Sequence, residues 1–391
     1  MKNHLFGIKF WQSRKNFPAV ENKVIHYLGL FAGVLGLFFG MKSYAQSNGN
    51  TLISGTHEQY FSINHFDTLY KHAKKEFEFK GQSERDFQLW HAAFLPRLKN
   101  ALGLDKIELQ FAGYVPRAEK KESNDLGYCI REHWIIWTEP TVPLPFVVLI
   151  PKNKKGKLPL IITTHGHGKN SEQYTGIYPA NEIAVQAVNE GYLAIAPTIR
   201  AFGDTRTEYD KQNDISFSCH NQLMHDLLVG RTPIGDRVWD VSRLIDWAIK
   251  NLPVDDRKIA ITGNSGGGTV SLFAAACDPR ISVAVPSSYF CTFEGSIGTI
   301  AHCDCNYIPG ILDLGEMGDV AGLVAPRPLC VVNGVKDNIF PIEETRKAFI
   351  HLKDIYSAAG VPGNCAFYEG AEGHRYYKEG AWPFIKKYFE K

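Results

Sequence analysis

Apolar and polar positions change period repeatedly along this chain, and the changes predict its elements. From about residue 130 onward, short apolar runs alternate with stretches of 3–4 spacing. "EHWIIWTE", "FVVLIP", "PLIITTHGHG", "YLAIAPTI", "KIAITGNS", "ISVAVPSS", "RPLCVVNGVKD" and "CAFYEG" predict strands, the first ones antiparallel neighbours. Between them, "NEIAVQAVNEG", "DRVWDVSRLIDWAIKN", "GGTVSLFAAAC", "IEETRKAFIHLKDIYSAAG" and "AWPFIKKYFEK" predict helices; the second carries Val238, Val241, Leu244, Ile245 and Ala248 on one face. Buried strands alternating with helices predict an α/β fold around a mostly parallel central sheet flanked by helices. Upstream, "HFDTLYKHAKKEFEFK" and "SERDFQLWHAAFLPRLKNALGL" predict a helical extension. The second opens on a Ser83–Asp86 capping pair and aligns Phe87, Trp90, Phe94 and Leu98, with Pro96 expected to kink or break it. "IELQFAGYV" predicts a further strand, the first of the antiparallel neighbours ahead of "EHWIIWTE".

The first 45 residues follow a different logic. Six basic side chains and one acidic one surround the apolar run "YLGLFAGVLGLFFG", and Ser43 and Ala45 occupy the −3 and −1 places of a cleavage site. This is the layout of a secretory signal peptide, since a membrane span needs about 20 apolar residues. The expected organisation is a signal peptide over 1–45, a tether and helical extension over 46–125, and a catalytic domain over 126–391. The mature protein is then exported, periplasmic or secreted, with no stable membrane anchor.

Without the leader, the formal charge of +2 becomes about −3. Nothing in that balance calls for nucleic acid or an anionic membrane as partner. All eight cysteines fall between Cys129 and Cys365, where an oxidising compartment permits disulfides without choosing the pairs.

Candidate chemistry gathers at "GNSGGG". Gly263, Asn264, Ser265, Gly266 and Gly267 fit G-x-S-x-G, a strand-to-helix turn that exposes a serine hydroxyl and leaves no room for larger side chains around it. Such a pentapeptide arises readily by chance, so its partners decide. A serine hydroxyl becomes a nucleophile only when an imidazole takes its proton and a carboxylate orients that imidazole. Asp337 closely follows the apolar run "LCVVN", at the sheet edge where α/β active sites collect. Asp304, Asp313 and Asp319 follow no clear strand. Of the two histidines past Asp337, His351 lies in a helical run and His374 in a glycine-bounded loop. Ser265, Asp337 and His374 are therefore the expected triad, with the backbone N–H groups of Gly266 and His167 as oxyanion donors.

Other residues carry weaker expectations. Arg200 is expected to hold substrate or, in preference, to pin its own loop through Asp204; Tyr289, Phe293 and Glu294 are expected either to wall the acyl pocket or to pack in the core. "HCDC" offers His302, Cys303 and Cys305 as soft ligands, but no fourth partner is evident; a disulfide involving Cys303 or Cys305 is expected in preference to zinc, and structural thiols are the remaining alternative. His165 and His167 likewise lack further ligands at suitable spacing, so no metal site and no cofactor is expected.

The pieces "THGHG", "RAFGD", "GDRVWDVSRLIDW", "GNSGGG", "HCDCNYIPG" and "NGVKDNIFP" resemble secreted bacterial α/β-hydrolases of acetyl xylan esterase-like type, relatives of the dienelactone hydrolase and cephalosporin-deacetylase branches. The resemblance runs from about His57 to the C-terminus. It implies an α/β-hydrolase fold and a serine esterase acting on acylated carbohydrate or a small ester. A peptidase of the prolyl oligopeptidase type shares the triad, but its propeller needs several blades of ~40 residues ahead of the hydrolase. Glucuronoyl esterases carry an arginine right after the serine, where this chain has Gly266. A non-catalytic carbohydrate-binding relative is the third reading, and it is disfavoured because all three triad members are present.

Overall fold

A computed structural model describes residues 62–176 and 182–390. The expected signal peptide and the start of the tether lie outside the described residues. Within them, one nine-stranded sheet runs in the order β1-β2-β3-β5-β4-β6-β7-β8-β9. Its strands are β1 (Arg117–Asp125), β2 (Cys129–Glu139), β3 (Val142–Pro151), β4 (Leu158–Thr164), β5 (Leu193–Pro197), β6 (Val254–Asn264), β7 (Val283–Ser287), β8 (Leu329–Gly334) and β9 (Cys365–Gly370). β1, β2, β3 and β5 pair antiparallel, and every pairing from β5 across to β9 is parallel. Alternate residues of each central strand enter opposite cores. Leu160 and Ile162 join one apolar cluster, while Ile161 faces the other with Val147 and Leu149.

The helix Gly266–Cys277 is buried along its whole length, which fits its nearly continuous small and apolar sequence. The helix Pro233–Asn251 shows the expected stripe; Thr232 caps it by accepting the Gly235 N–H at 3.0 Å, and Pro233 fills its first turn. The upstream helix Glu84–Leu102 starts on the Ser83–Asp86 capping box and ends on Gly103 in the left-handed region. It buries Phe94, Leu98 and Leu102 completely in the same apolar cluster as Leu244 and Leu272.

Two expectations change here, and one strand had no counterpart in the apolar pattern. Pro96 does not end its helix, which continues to Leu102 with packed residues on both sides of the proline. "IELQFAGYV" is not a strand: a helix covers Leu104–Gln110, because Ile107 and Phe111 lie four apart and Leu109 points to solvent. β1 was not legible at all, since its residues RAEKKESND are mostly exposed on the sheet edge and carry no apolar alternation.

Candidate active site

Ser265 lies between the end of β6 and the helix Gly266–Cys277, with φ +58° and ψ −120°. That is left-handed backbone for a non-glycine residue, and the surroundings hold it there. The Ser265 N–H donates to the Ser287 carbonyl at the end of β7 (2.9 Å), and the Ser265 carbonyl accepts from Thr269 (2.9 Å). The flanking glycines are required by close approach. A Cβ on Gly267 would run into the Thr164 carbonyl oxygen of β4, and one on Gly266 would lie 2.8 Å from Cε1 and Nδ1 of His167.

Asp337 follows β8 and is buried. Its Oδ1 accepts the N–H groups of Ile339 (2.9 Å) and Phe340 (3.1 Å), and its Oδ2 accepts from His374 Nδ1 at 2.8 Å. His374 stands in the loop after β9, its ring stacked on Phe340 with centroids 5.9 Å apart. Because Asp337 accepts the hydrogen bond from Nδ1–H, the proton stays on Nδ1 and Nε2 is left as the basic nitrogen. Ser265, His374 and His167 line one cavity of about 410 Å³, together with His302, Ile339 and Phe340. Among the described residues, the Ser265 hydroxyl makes no hydrogen bond. The Gly266 N–H opens the helix Gly266–Cys277, where backbone donors have no intrahelical acceptor.

The match to the family model of X-Pro dipeptidyl-peptidase (S15 family) covers residues 141–296, the span from β3 to just past β7. A provisionally named hydrolase of Bacillus subtilis (strain 168), YtaP, is 24% identical over 59% of this chain and 77% of that protein. Among solved structures, a Bacteroides fragilis NCTC 9343 protein provisionally described as an acetyl xylan esterase superposes with TM-score 0.67 at 17% identity, covering 85% of this chain and 86% of that one. A glucuronoyl esterase from Solibacter usitatus gives 0.55 at 13% identity, over 70% of this chain and 85% of that one. The chain has the α/β-hydrolase fold.

On this α/β-hydrolase fold, Arg200, Tyr289, Phe293 and Glu294 are placed away from the serine, and of the two readings offered for Tyr289 core packing is the one the structure shows. Arg200 does not face the cavity and does not pin Asp204. It is buried against three carboxylates, donating to Asp240 (2.7 Å), Asp236 (2.9 Å) and Glu139 (2.5 Å). Charges that far from water must pair, and these hold Arg200 completely. Tyr289 is fully buried between Phe273 and Phe340. Phe293 lines a separate cavity beside Tyr70, and Glu294 pairs with Lys75 at 3.0 Å. None of the four borders the cavity over Ser265.

The other histidines and acids also find places. His165 Nε2 accepts the Ile199 N–H (2.9 Å) and its Nδ1 donates to the Gly166 carbonyl (2.8 Å). Burial pushes its pKa down to about 3, so it is a neutral brace inside the loop rather than a ligand. Burial, with the nearby His167 charge second, pushes His302 down to about 4, and its Nε2 meets Ser296 Oγ at 2.9 Å. Asp319 and His351 pair with each other at 2.6 Å, away from Ser265. All eight cysteines are free thiols, so of the readings for Cys303 and Cys305 the disulfide is absent and the thiols are present. Instead the sulfurs of Cys219, Cys303 and Cys305 gather with an imidazole nitrogen of His167. His302 is not in this group; the partners that local spacing could not show are His167 and Cys219, each more than 80 residues from "HCDC".

Proposed function

We propose that this protein is a serine carboxylic-ester hydrolase that removes short acyl groups, acetyl foremost, from carbohydrate. The observation that carries the reading is one cavity lined both by a serine on strained backbone and by an imidazole hydrogen-bonded to a buried carboxylate. His374 Nε2 takes the Ser265 proton as Oγ attacks the ester carbonyl. The Gly266 and His167 N–H groups receive the oxyanion, each worth about 10²- to 10³-fold in rate. The alcohol leaves with the proton from His374, and water then repeats the sequence on the acyl-enzyme. Asp337 keeps the imidazole in the tautomer that this relay needs. The chemistry calls for no cofactor.

The cavity of about 410 Å³, walled in part by Ile339, Phe340 and His302, has room for a sugar-borne ester. The likeness to the Bacteroides fragilis protein favours an acylated glycan as the alcohol side. Residues 1–45 would direct export and be removed, leaving the tether and helical extension of 46–125 ahead of the catalytic domain 126–391, and the enzyme would work in the periplasm or outside the cell. Among the described residues no helix is long and apolar enough to cross a membrane. The S15 family match makes cleavage after an X-Pro dipeptide the second reading. Hydrolysis of p-nitrophenyl esters from C2 to C8, set beside an X-Pro p-nitroanilide, separates the two. Turnover of the acetyl ester that falls with chain length, with the anilide untouched, is the expected result.

A further inference from the structure

A second constellation adjoins the serine, built from three separate loops at the carboxyl edge of the sheet. His167 comes from the loop after β4, Cys219 opens the helix Cys219–Leu228 that follows β5, and Cys303 and Cys305 belong to the long loop after β7. One ligand atom from each lies within 4.8 Å of all the others. His167 Nε2 is 3.2 Å from Cys305 Sγ, and the Cys303 and Cys305 sulfurs are 3.5 Å apart. A tetrahedral zinc with Zn–S bonds of 2.3 Å has ligand–ligand edges of about 3.8 Å, so the cluster already has the right size. Cys219 and Cys305 are fully buried.

Charge supplies an independent argument. Arg237 is buried at 2% exposure beside these sulfurs, with Nη2 3.5 Å from Cys219 Sγ. It also donates to the Arg200 carbonyl at 3.1 Å, and its Nε has no partner. Among the described residues it forms no ion pair with a carboxylate, although neighbouring Arg200 has three. A buried guanidinium without a counter-charge is costly. A divalent ion held by three thiolates and a neutral imidazole carries one net negative charge, which balances Arg237.

We propose that His167, Cys219, Cys303 and Cys305 form a closed Cys₃His zinc site that ties together the three loops around the serine. Four protein ligands complete the tetrahedron and leave no open position for water, so the ion is structural rather than hydrolytic. The His167 ring lies against Gly266, so ligation through Nε2 fixes the loop whose backbone N–H the esterase reading uses. The site itself does not depend on that reading, and metal content tests it without any substrate.

The full chain is purified under reducing conditions without chelators and assayed for metal. About one zinc per chain, retained through dialysis, is expected. Replacing that zinc by cobalt should give the intense ligand-field bands of tetrahedral Co(II) and a sulfur-to-cobalt charge-transfer band. Both should vanish in Cys219→Ser, whose side chain does not reach the serine cavity. Arg237→Gln, which removes the counter-charge but no ligand, should weaken zinc binding about 10- to 100-fold, the usual effect of losing a partner just outside the ligand shell. The wild-type cobalt spectrum needs no variant to fold. A reduced wild-type chain that takes up neither zinc nor cobalt would overturn the proposal. So would a disulfide mapped among these cysteines in the active protein, or a Cys219→Ser chain that keeps stoichiometric metal and an unchanged cobalt spectrum.

Discussion

Asp337 divides its two carboxylate oxygens between two tasks. Oδ2 accepts from His374 Nδ1 at 2.8 Å, while Oδ1 is fixed by the N–H groups of Ile339 and Phe340. The imidazole is thereby oriented by a carboxylate that cannot itself rotate. Asp337→Asn keeps the shape but can offer His374 an N–H where an acceptor is required, which favours the wrong tautomer. On the esterase reading, kcat should fall by about 10³- to 10⁴-fold with KM little changed, as for triads in general. Steady-state kinetics checks this, and a loss under tenfold would remove Asp337 from the proposed relay.

Gly266 and Gly267 make different demands. A methyl group on Gly267 meets the fixed Thr164 carbonyl, so Gly267→Ala should destabilise the fold by about 1–3 kcal/mol, the usual range for overpacking. A methyl on Gly266 meets only the His167 ring, which belongs to the site. Gly266→Ala should therefore lower activity more than it lowers the melting temperature. Parallel thermal unfolding and ester assays separate the two, and equal losses of both quantities in both variants would contradict the assignment.

Arg200 is a structural cation rather than a substrate contact. Its removal strands Glu139, Asp236 and Asp240 without a shared partner, although Arg231 still reaches Glu139 and Asp236. Arg200→Met should cost about 3–5 kcal/mol in urea unfolding, the usual penalty for breaking a buried pair on one side. KM measured on the fraction that stays folded should be unchanged. A raised KM at unaltered stability would return Arg200 to the substrate.

Asp226 sits near this network with Oδ2 unpartnered. Burial, and then the charge of Asp236, push its pKa up to about 7 despite the nearby arginines. The unfolded carboxyl releases its proton near pH 3.9, so between about pH 4 and 7 the folded chain holds a proton that the unfolded chain has lost. Stability from this group is thus full below about pH 4 and is lost as pH rises through about 7. Asp226→Asn should raise the melting temperature at pH 8 and leave it nearly unchanged at pH 4. A gain of equal size at both pH values would show that the carboxylate's charge is not the cause.

What the sequence disclosed follows from how local each signal is. Ser265 was legible because its glycines answer a local steric demand, and Asp337 and His374 because each follows an apolar strand in a loop. Apolar strands and amphipathic helices were legible for the same reason. β1 was not, because an exposed edge strand has no buried face to impose alternation. The 104–110 helix was misread because Ile107, Leu109 and Phe111 satisfy both periods, and only burial shows that Ile107 and Phe111 face inward while Leu109 does not. Arg200 and Cys219 needed the third dimension: their partners come from β2, the helix Pro233–Asn251 and the loop after β7.

The central claim is that Ser265 is the nucleophile, and covalent capture tests it most directly. The full chain is treated with a phosphonate monofluoride probe while acetyl-ester hydrolysis is followed, and the labelled peptide is then sequenced by mass spectrometry. We predict one adduct per chain, on Ser265, with activity lost in proportion and no adduct on Ser265→Ala. Labelling of another residue, or a Ser265→Ala chain that hydrolyses the ester as fast as wild type, would contradict the account.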